Sequence, residues 1–133
     1  MDVLIDLGLW NSWPMSYNKR ENIYLSGLEQ RLNYFFKNRD LLKKALTHRS
    51  HGLNNNERLE FLGDSVLNLA TTVFIFHQRT GFNEGGLHRL RAKLVCEKTL
   101  YQIAINLNLQ DYIILSQGEE KSGGKLRPSI LAD

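Results

Sequence analysis

Residues 56–67 read NERLEFLGDSVL, and they begin the most strongly helical stretch of the chain, predicted to run from about Glu57 to His77. On a helix that turns by about 100° per residue, Glu57, Glu60 and Asp64 fall within roughly 60° of one another. Aliphatic side chains gather on the opposite side and are predicted to face the core: Leu59, Leu62, Val66 and Leu69. The stretch therefore predicts a long helix with one acidic and one apolar face.

The acidic face has two interpretations. Like charges three and four residues apart destabilise a helix by about a few tenths of a kcal/mol per pair, and a solvated acidic surface tolerates that cost. The other interpretation is a site for a hard cation such as Mg²⁺, which takes oxygen ligands and is often held by one or two carboxylates. A cation would also remove the repulsion. The spacing alone leaves both interpretations open.

Two other residues of this helix are unusual. Phe61 lies about 40° from Glu57, beside the acids and away from the aliphatic side. Because protein interfaces are enriched in Phe, a dimer contact is one hypothesis for this side chain. Gly63 costs about 1 kcal/mol relative to Ala inside a helix, and it predicts the close approach of another helix.

The flanking sequence extends the helical pattern. Apolar residues recur at spacings of three and four over residues 28–36 and 41–46, and another helical stretch runs from near Glu84 or Leu87 to about Leu107. Residues 115–127 form a loop rich in Gly and Lys, after which Pro128 is suited to the first turn of a helix. No convincing strand and no internal repeat is visible, so the predicted fold class is all-α.

Residues 1–26 differ from the rest of the chain. They contain Trp10 and Trp13 but no sustained periodicity, and we predict a loosely ordered N-terminal extension. Met15 is an alternative start. Residues 27–133 are predicted to form one domain, a length that can bury a core.

Composition restricts the function only weakly. A net charge of +3 is compatible with a polyanionic partner, although many proteins without one are equally basic. Cys96 is the only cysteine, which excludes an intramolecular disulfide and a zinc site built on several thiolates. No unbroken apolar run approaches the roughly 18 residues of a membrane span, and residues 1–10 do not resemble a secretory signal. The simplest expectation is a cytoplasmic protein.

Four blocks together resemble the ribonuclease III family. Residues 56–67 resemble its signature, essentially letter for letter. Three further blocks agree in order and rough spacing: ALTHRS at 45–50, EGGLHRLRAKLV at 84–95, and GEEKSGGKLRPSILAD at 118–133. The resemblance covers about residues 27–133, and four blocks in register are a far more specific signal than one.

The resemblance implies an activity and a partner. Family members are helical endonucleases that cut both strands of an RNA duplex, leaving 5′-phosphate and 3′-hydroxyl ends, and the bacterial ones process ribosomal RNA. They work as homodimers with Mg²⁺, for which Mn²⁺ is a possible substitute. Duplex RNA is recognised largely by shape, phosphates and 2′-hydroxyls.

The family's functional residues transfer onto this chain one by one. Glu60 and Asp133 would be metal ligands, and Asp64 an essential carboxylate that helps to organise the metal and the attacking water. Glu57 would lie nearer the RNA, and Phe61 would insert into the partner subunit. Three basic residues remain open between phosphate contacts and a solvated basic loop: Lys121, Lys125 and Arg127.

The sequence also departs from the family pattern. In the family, the second acidic helix continues past the position of Asp133 and supplies another glutamate, and bacterial members usually carry a double-stranded-RNA-binding domain. We therefore expect a C-terminally truncated catalytic domain with weak or no cleavage. The alternative is a non-catalytic duplex-RNA-binding or dimerisation domain, although the retained acids favour an enzyme. A short mini-ribonuclease III matches the signature less well.

Overall fold

The computed structural model describes residues 19–133, with side chains from Tyr24 onward. This part of the chain contains seven α-helices: α1 Lys19–Leu32, α2 Arg39–Ala45, α3 Glu57–Gln78, α4 Glu84–Leu94, α5 Glu97–Asn106, α6 Gln117–Lys121 and α7 Pro128–Leu131. Short 3₁₀ turns lie at Arg49–His51, Leu109–Asp111 and Gly124–Leu126. Among the described residues the only β-type pairing is one parallel bridge between Thr47 and Ile114. The all-α prediction is confirmed.

The first helix begins earlier than the sequence pattern predicts. Residues 19–26, assigned above to a loosely ordered extension, form the first two turns of α1. Leu25 and Leu28 are buried, so packing of this helix face supplies the stabilisation that the weak local periodicity does not indicate. Residues 1–18, with Trp10, Trp13 and the alternative start Met15, lie outside the described residues. For them the extension stays a prediction.

The main core lies between α1, α2 and the segment that follows α5. Its buried members are Leu25, Leu28, Leu42, Leu46 and Tyr112, with Phe36 and Leu109 packed against them. The Tyr112 ring also lies 4.8 Å from that of Tyr24, measured between centroids. Gly27 permits this packing, because a Cβ there would lie 2.8 Å from the Tyr112 hydroxyl. The core thus joins the start of the domain to the chain after α5.

A buried charge holds the connection between α1 and α2. Glu29 is fully buried, and its Oε2 lies 2.6 Å from the Arg39 guanidinium. Its Oε1 accepts a hydrogen bond from the Phe36 backbone N–H at 2.9 Å. The same Arg39 nitrogen donates to Ser26 Oγ at 3.0 Å. Burying a carboxylate is tolerated when its oxygens are paired in this way.

The apolar face of α3 is not a core face in the described chain, contrary to the prediction. Leu62, Val66 and Leu69 are 58%, 58% and 66% exposed, and Leu59 is only partly buried. The reason is that α3 packs mainly against α4, through Ile75 and its neighbours, which leaves much of the helix uncovered. The close approach predicted at Gly63 is also wrong within the described residues, since nothing lies within 4 Å of a Cβ built there.

Of the described helices, α3 alone has the length and composition of a membrane span. It has 22 residues, although the sequence shows no unbroken apolar run long enough to indicate such a segment. Helices that pack inside proteins meet the same criterion. One such helix is weak evidence for a membrane, and it shows that α3 has apolar surface to bury.

Candidate active site

The start of α3 is anchored to the core through the segment that precedes it. Ile114 N–H donates to Leu46 O at 2.8 Å, and His48 N–H donates to Ile114 O at 3.0 Å. Asn56 N–H in turn donates to Thr47 O at 2.8 Å. These bonds hold the first turn of α3, and with it the acidic residues, against the segment after α5.

A second hydrogen-bond network connects the segment that precedes α3 to the start of α6. Ser50 Oγ lies 2.9 Å from His48 Nδ1 and accepts a hydrogen bond from Ser116 N–H at 3.0 Å. His48 Nδ1 also accepts from Ser50 N–H at 3.2 Å, so the ring caps the short 3₁₀ turn. The His48 imidazole is therefore held in place by its neighbours.

A cavity of about 610 Å³ lies between three parts of the chain. These are the segment that joins α2 to α3, the start of α3, and α7. Glu57 and Glu60 of α3 line it together with Asp133, which follows α7. Aliphatic side chains form another part of the wall: Leu46, Leu109, Ile113, Ile130 and Leu131. Three of the four predicted carboxylates thus share one cavity, although Asp133 is far from Glu57 and Glu60 in the sequence.

The carboxylates interact electrostatically. Burial raises the pKa of Glu60 above its ordinary value, and the negative charges of Asp133, Asp64 and Glu57 raise it further. Burial likewise raises the pKa of Asp133, followed by repulsion from Asp64 and Glu97. Asp64 does not line the cavity, but its charge acts on both groups. The four predicted acids therefore belong to one negative cluster.

Nearby basic groups partly offset the negative charge of this cluster. The Arg49 guanidinium lowers the pKa of both Glu60 and Asp133, and His48 lowers that of Asp133. Arg49 also lies 3.8 Å from Glu57 Oε1, with both side chains mostly exposed, which makes the pair weak. The sequence pattern indicates no site role for Arg49 or Glu97. Glu97 comes close to Asp133 only because α5 packs against α7, and no local spacing indicates this.

The donor set suits a hard divalent cation. Carboxylate oxygens are the preferred ligands of Mg²⁺, and the mutual repulsion within the cluster is a field that a cation would neutralise. Among the residues that the structure describes, however, no three His, Cys, Asp or Glu side chains converge as metal ligands. The residues therefore fit a metal in type and charge, but their side chains are not close enough together to coordinate one ion in this arrangement.

The three basic residues considered for RNA binding have different surroundings. Arg127 forms an ion pair with Glu119, and Lys125 Nζ lies 2.6 Å from Glu120 Oε1. Lys121 is exposed at the end of α6. Two of the three cations are thus engaged by carboxylates of their own loop, and their role as phosphate contacts stays a prediction. Phe61, predicted as a dimer contact, is 81% exposed on α3.

The raised pKa values predict a pH dependence of stability. The folded-state pKa values of Glu60 and Asp133 lie above their ordinary values of 4.5 and 3.8. Just above those values the folded chain therefore binds more protons than the unfolded chain, so the free energy of unfolding falls as pH rises. Since both groups are partly solvated, we expect the contribution to stay below about 1 kcal/mol.

Urea unfolding between pH 4 and 7, without divalent cations, measures this contribution as the difference between the wild type and the Glu60→Gln/Asp133→Asn double variant. The variant should gain stability relative to the wild type as pH rises. A constant difference across this range would contradict the prediction.

Comparisons with known proteins agree with this architecture. The sequence model of the family described as Ribonuclease-III-like matches residues 38–133. The ribonuclease 3 of Delftia acidovorans is 55% identical over 109 residues, which cover 82% of this chain and 48% of the relative. That of Bordetella pertussis is 54% identical over 109 residues, covering 82% of this chain and 43% of the relative.

A solved structure of the nuclease domain of ribonuclease III from Campylobacter jejuni superimposes with a TM-score of 0.78 at 51% identity. The match covers 81% of this chain and 76% of that one, and the structure is described as showing flexibility in a region involved in dimer formation. The chain spans about half the length, or less, of the curated relatives it matches.

Proposed function

We propose, from the premise that this chain belongs to the ribonuclease III family, that it carries an endoribonuclease site for double-stranded RNA. The proposed reaction is hydrolysis of phosphodiester bonds to 5′-phosphate and 3′-hydroxyl ends. The observation that carries it is the shared cavity of Glu57, Glu60 and Asp133, with the charge of Asp64 beside it. Such a cluster suits metal-assisted chemistry on a phosphodiester, which needs no His or Cys nucleophile.

The family requires a divalent metal ion, and for this chain we propose Mg²⁺ with Mn²⁺ as a substitute. Glu60, Asp64 and Asp133 are the residues that would hold it. When bound, such an ion supplies Lewis acidity toward the phosphate oxygens and makes water a stronger nucleophile. The raised pKa values of Glu60 and Asp133 support this assignment, because burial and then repulsion by neighbouring carboxylates disfavour their charged forms, and a bound cation would favour those forms.

The chain's own residues have distinct proposed roles. Asp64 orients the attacking water by accepting a hydrogen bond from it at a carboxylate oxygen. Glu57, more than half exposed beside Arg49, lies nearer the RNA and contacts its backbone through water or Arg49. The phosphates of the duplex supply most of the binding energy, so exposed cations such as Lys121 contribute without reading the sequence.

We further propose that two copies of the chain associate through α3. Phe61 is one of several exposed apolar side chains distributed along this helix, which also include Leu62, Phe74 and Phe76. Extensive exposed apolar surface of this kind is typical of a protein interface. Phe61 would insert into the partner, and the two cavities would then serve the two strands of one duplex. The Campylobacter nuclease domain, described with a region involved in dimer formation, supports this arrangement.

The proposed setting is the cytoplasm, with ribosomal RNA precursors as the expected class of substrate. The many bacterial ribonuclease 3 relatives support a role in RNA processing. The similarity to these relatives also supports our assignment of the catalytic domain to residues 27–133, together with the earlier turns of α1.

A second candidate function is a duplex-RNA-binding or dimerisation domain without catalysis. The favouring observation is that no three candidate ligands converge within the described residues. Preorganisation matters for catalytic metal sites, so this geometry also predicts slow turnover if the chain is an enzyme.

Cleavage of an end-labelled RNA duplex in Mg²⁺, with the 133-residue chain in excess over RNA, tests the proposal. We expect slow, metal-dependent cutting of the duplex with 5′-phosphate products, and little cutting of the single strands or in EDTA. Sedimentation velocity on the same sample should show a dimer. Duplex binding without cleavage in Mg²⁺ or Mn²⁺ would support the non-catalytic alternative, and metal-independent cleavage would contradict the mechanism.

A further inference from the structure

The loop between α6 and α7 is closed by an ion pair. One Arg127 nitrogen donates to Glu119 Oε1, and the other lies 3.3 Å from Ser122 Oγ. At the start of α6, Ser116 Oγ accepts a hydrogen bond from Glu119 N–H at 3.2 Å. Both arms of the guanidinium are thus engaged inside the chain, which leaves Arg127 less suited to an RNA phosphate than its sequence position suggests.

The position of Glu119 is also defined by packing. Gly124 is buried, and a Cβ built on it would lie 2.8 Å from both Cγ and the backbone oxygen of Glu119. The Glu119 side chain therefore lies directly over a residue that has no side chain. Its exposed fraction is 22%, compared with 50% for Glu120 in the other ion pair of the loop.

Arg127 is the residue from which α7 starts. Its carbonyl accepts from the N–H groups of Ile130 and Leu131 at 3.0 and 3.1 Å, and Pro128 O accepts from Ala132 N–H at 2.9 Å. Asp133 follows immediately. A four-residue helix has little stability of its own, so its placement depends on the burial of Leu131 and on the anchor at Arg127.

We propose that the Glu119–Arg127 ion pair is a brace that positions Asp133 for cation binding in the shared cavity. This inference rests on the proposed function. Glu119, Arg127 and Asp133 line the same cavity, and the hydrogen-bonded backbone of α7 connects the pair to the carboxylate. Arg127 is thus a positioning residue that acts through Asp133. Mutation of groups that orient metal ligands typically weakens metal binding by about 10- to 100-fold.

The direction in which cation affinity changes when Arg127 is neutralised distinguishes a positioning role from an effect of its charge alone. If Arg127 acted only through its positive charge, removing that charge would strengthen the binding of a cation nearby. If it positions Asp133, removing it weakens cation binding in spite of the favourable change in charge. Neutral replacement of Glu119 weakens binding in both cases, so Arg127 is the informative position.

The test is Mn²⁺ binding to the full 133-residue chain, followed by the electron paramagnetic resonance signal of the free ion. We expect Arg127→Gln and Glu119→Gln each to weaken binding by roughly tenfold, and the double variant to be no worse than either single one, because both break the same pair. Arg127→Lys should retain part of the affinity. Glu120→Gln breaks the exposed Lys125–Glu120 pair of the same loop and is the matched control, expected within about twofold.

Circular dichroism and the thermal midpoint show whether each variant is folded. If Arg127→Gln unfolds, Arg127→Lys keeps the test valid, because a role through charge alone predicts unchanged affinity and the brace predicts a partial loss. Unchanged or tighter Mn²⁺ binding by a folded Arg127→Gln would overturn the brace while leaving the proposed function intact. An equal loss in Glu120→Gln, or additive losses in the double variant, would overturn it too. Failure of the wild type itself to bind Mn²⁺ would overturn the proposed metal site and the brace together.

Discussion

Replacing Asp64 with Asn is expected to lower the rate of duplex-RNA cleavage by about a thousandfold or more, equivalent to roughly 4 kcal/mol of transition-state stabilisation. The change keeps the size of the side chain and removes its charge, so it deletes a proposed metal ligand and water-orienting group without deleting atoms that pack. Asp64 is exposed, and the hydrogen bond near it involves its backbone carbonyl, which accepts from Asn68 at 3.0 Å. Stability should therefore change by less than about 0.5 kcal/mol.

Single-turnover cleavage of the labelled duplex and urea unfolding are the two measurements. Gln78→Ala is the control, since Gln78 is the exposed last residue of α3 and lies far along the helix from the acidic residues. It should cleave within about twofold of the wild type if surface changes on this helix are neutral. An Asp64→Asn rate within tenfold of the wild type would show that this carboxylate is not essential.

Replacing Glu29 with Ala is expected to lower the free energy of unfolding by about 3–5 kcal/mol. Glu29 is fully buried, and its carboxylate pairs with Arg39 and accepts the Phe36 backbone N–H. The substitution weakens the pairing of a partly buried guanidinium, leaves a backbone donor without its partner and creates a cavity. Because typical domains are stable by only about 5–15 kcal/mol, a loss of this size would be a large fraction of the total stability.

Urea or thermal unfolding measures this effect. Glu29→Gln should be less severe, because its side-chain oxygen can still accept from Phe36 while the charge is lost. Glu120→Ala, which breaks an exposed ion pair, is the control and should cost less than about 1 kcal/mol. A loss below 1 kcal/mol for Glu29→Ala would mean that the buried pair contributes little net stability.

The local features of the fold could be predicted from the sequence. Helical periodicity and the position of Pro128 predicted α3 and the start of α7, and the predicted span of about Glu57 to His77 compares with Glu57–Gln78 in the structure. These predictions succeed because a helix is set by contacts between residues three and four apart. The four sequence blocks also identified the family correctly, because their order and their residues are specific to it.

The exposure of α3 could not be predicted in the same way. A period of 3.6 residues shows which side chains share a face, but it does not show what packs against that face. The structure leaves Leu62, Val66 and Leu69 exposed because α4 covers another part of the helix. The early start of α1 could not be predicted either. Burial of Leu25 and Leu28 stabilises turns whose local sequence pattern is weak.

By itself, the sequence determined the helical class, the acidic face of α3 and the membership of the ribonuclease III family, because these depend on local spacing and residue identity. Only the tertiary structure decided that Glu57 and Glu60 share a cavity with Asp133, that Glu97 and Arg49 act on the same carboxylates, and that Arg127 pairs with Glu119. Those relations arise where α3, α5 and α7 meet. Electrostatic forces depend on distance in space, and only chain packing brings residues so far apart in sequence within reach of one another.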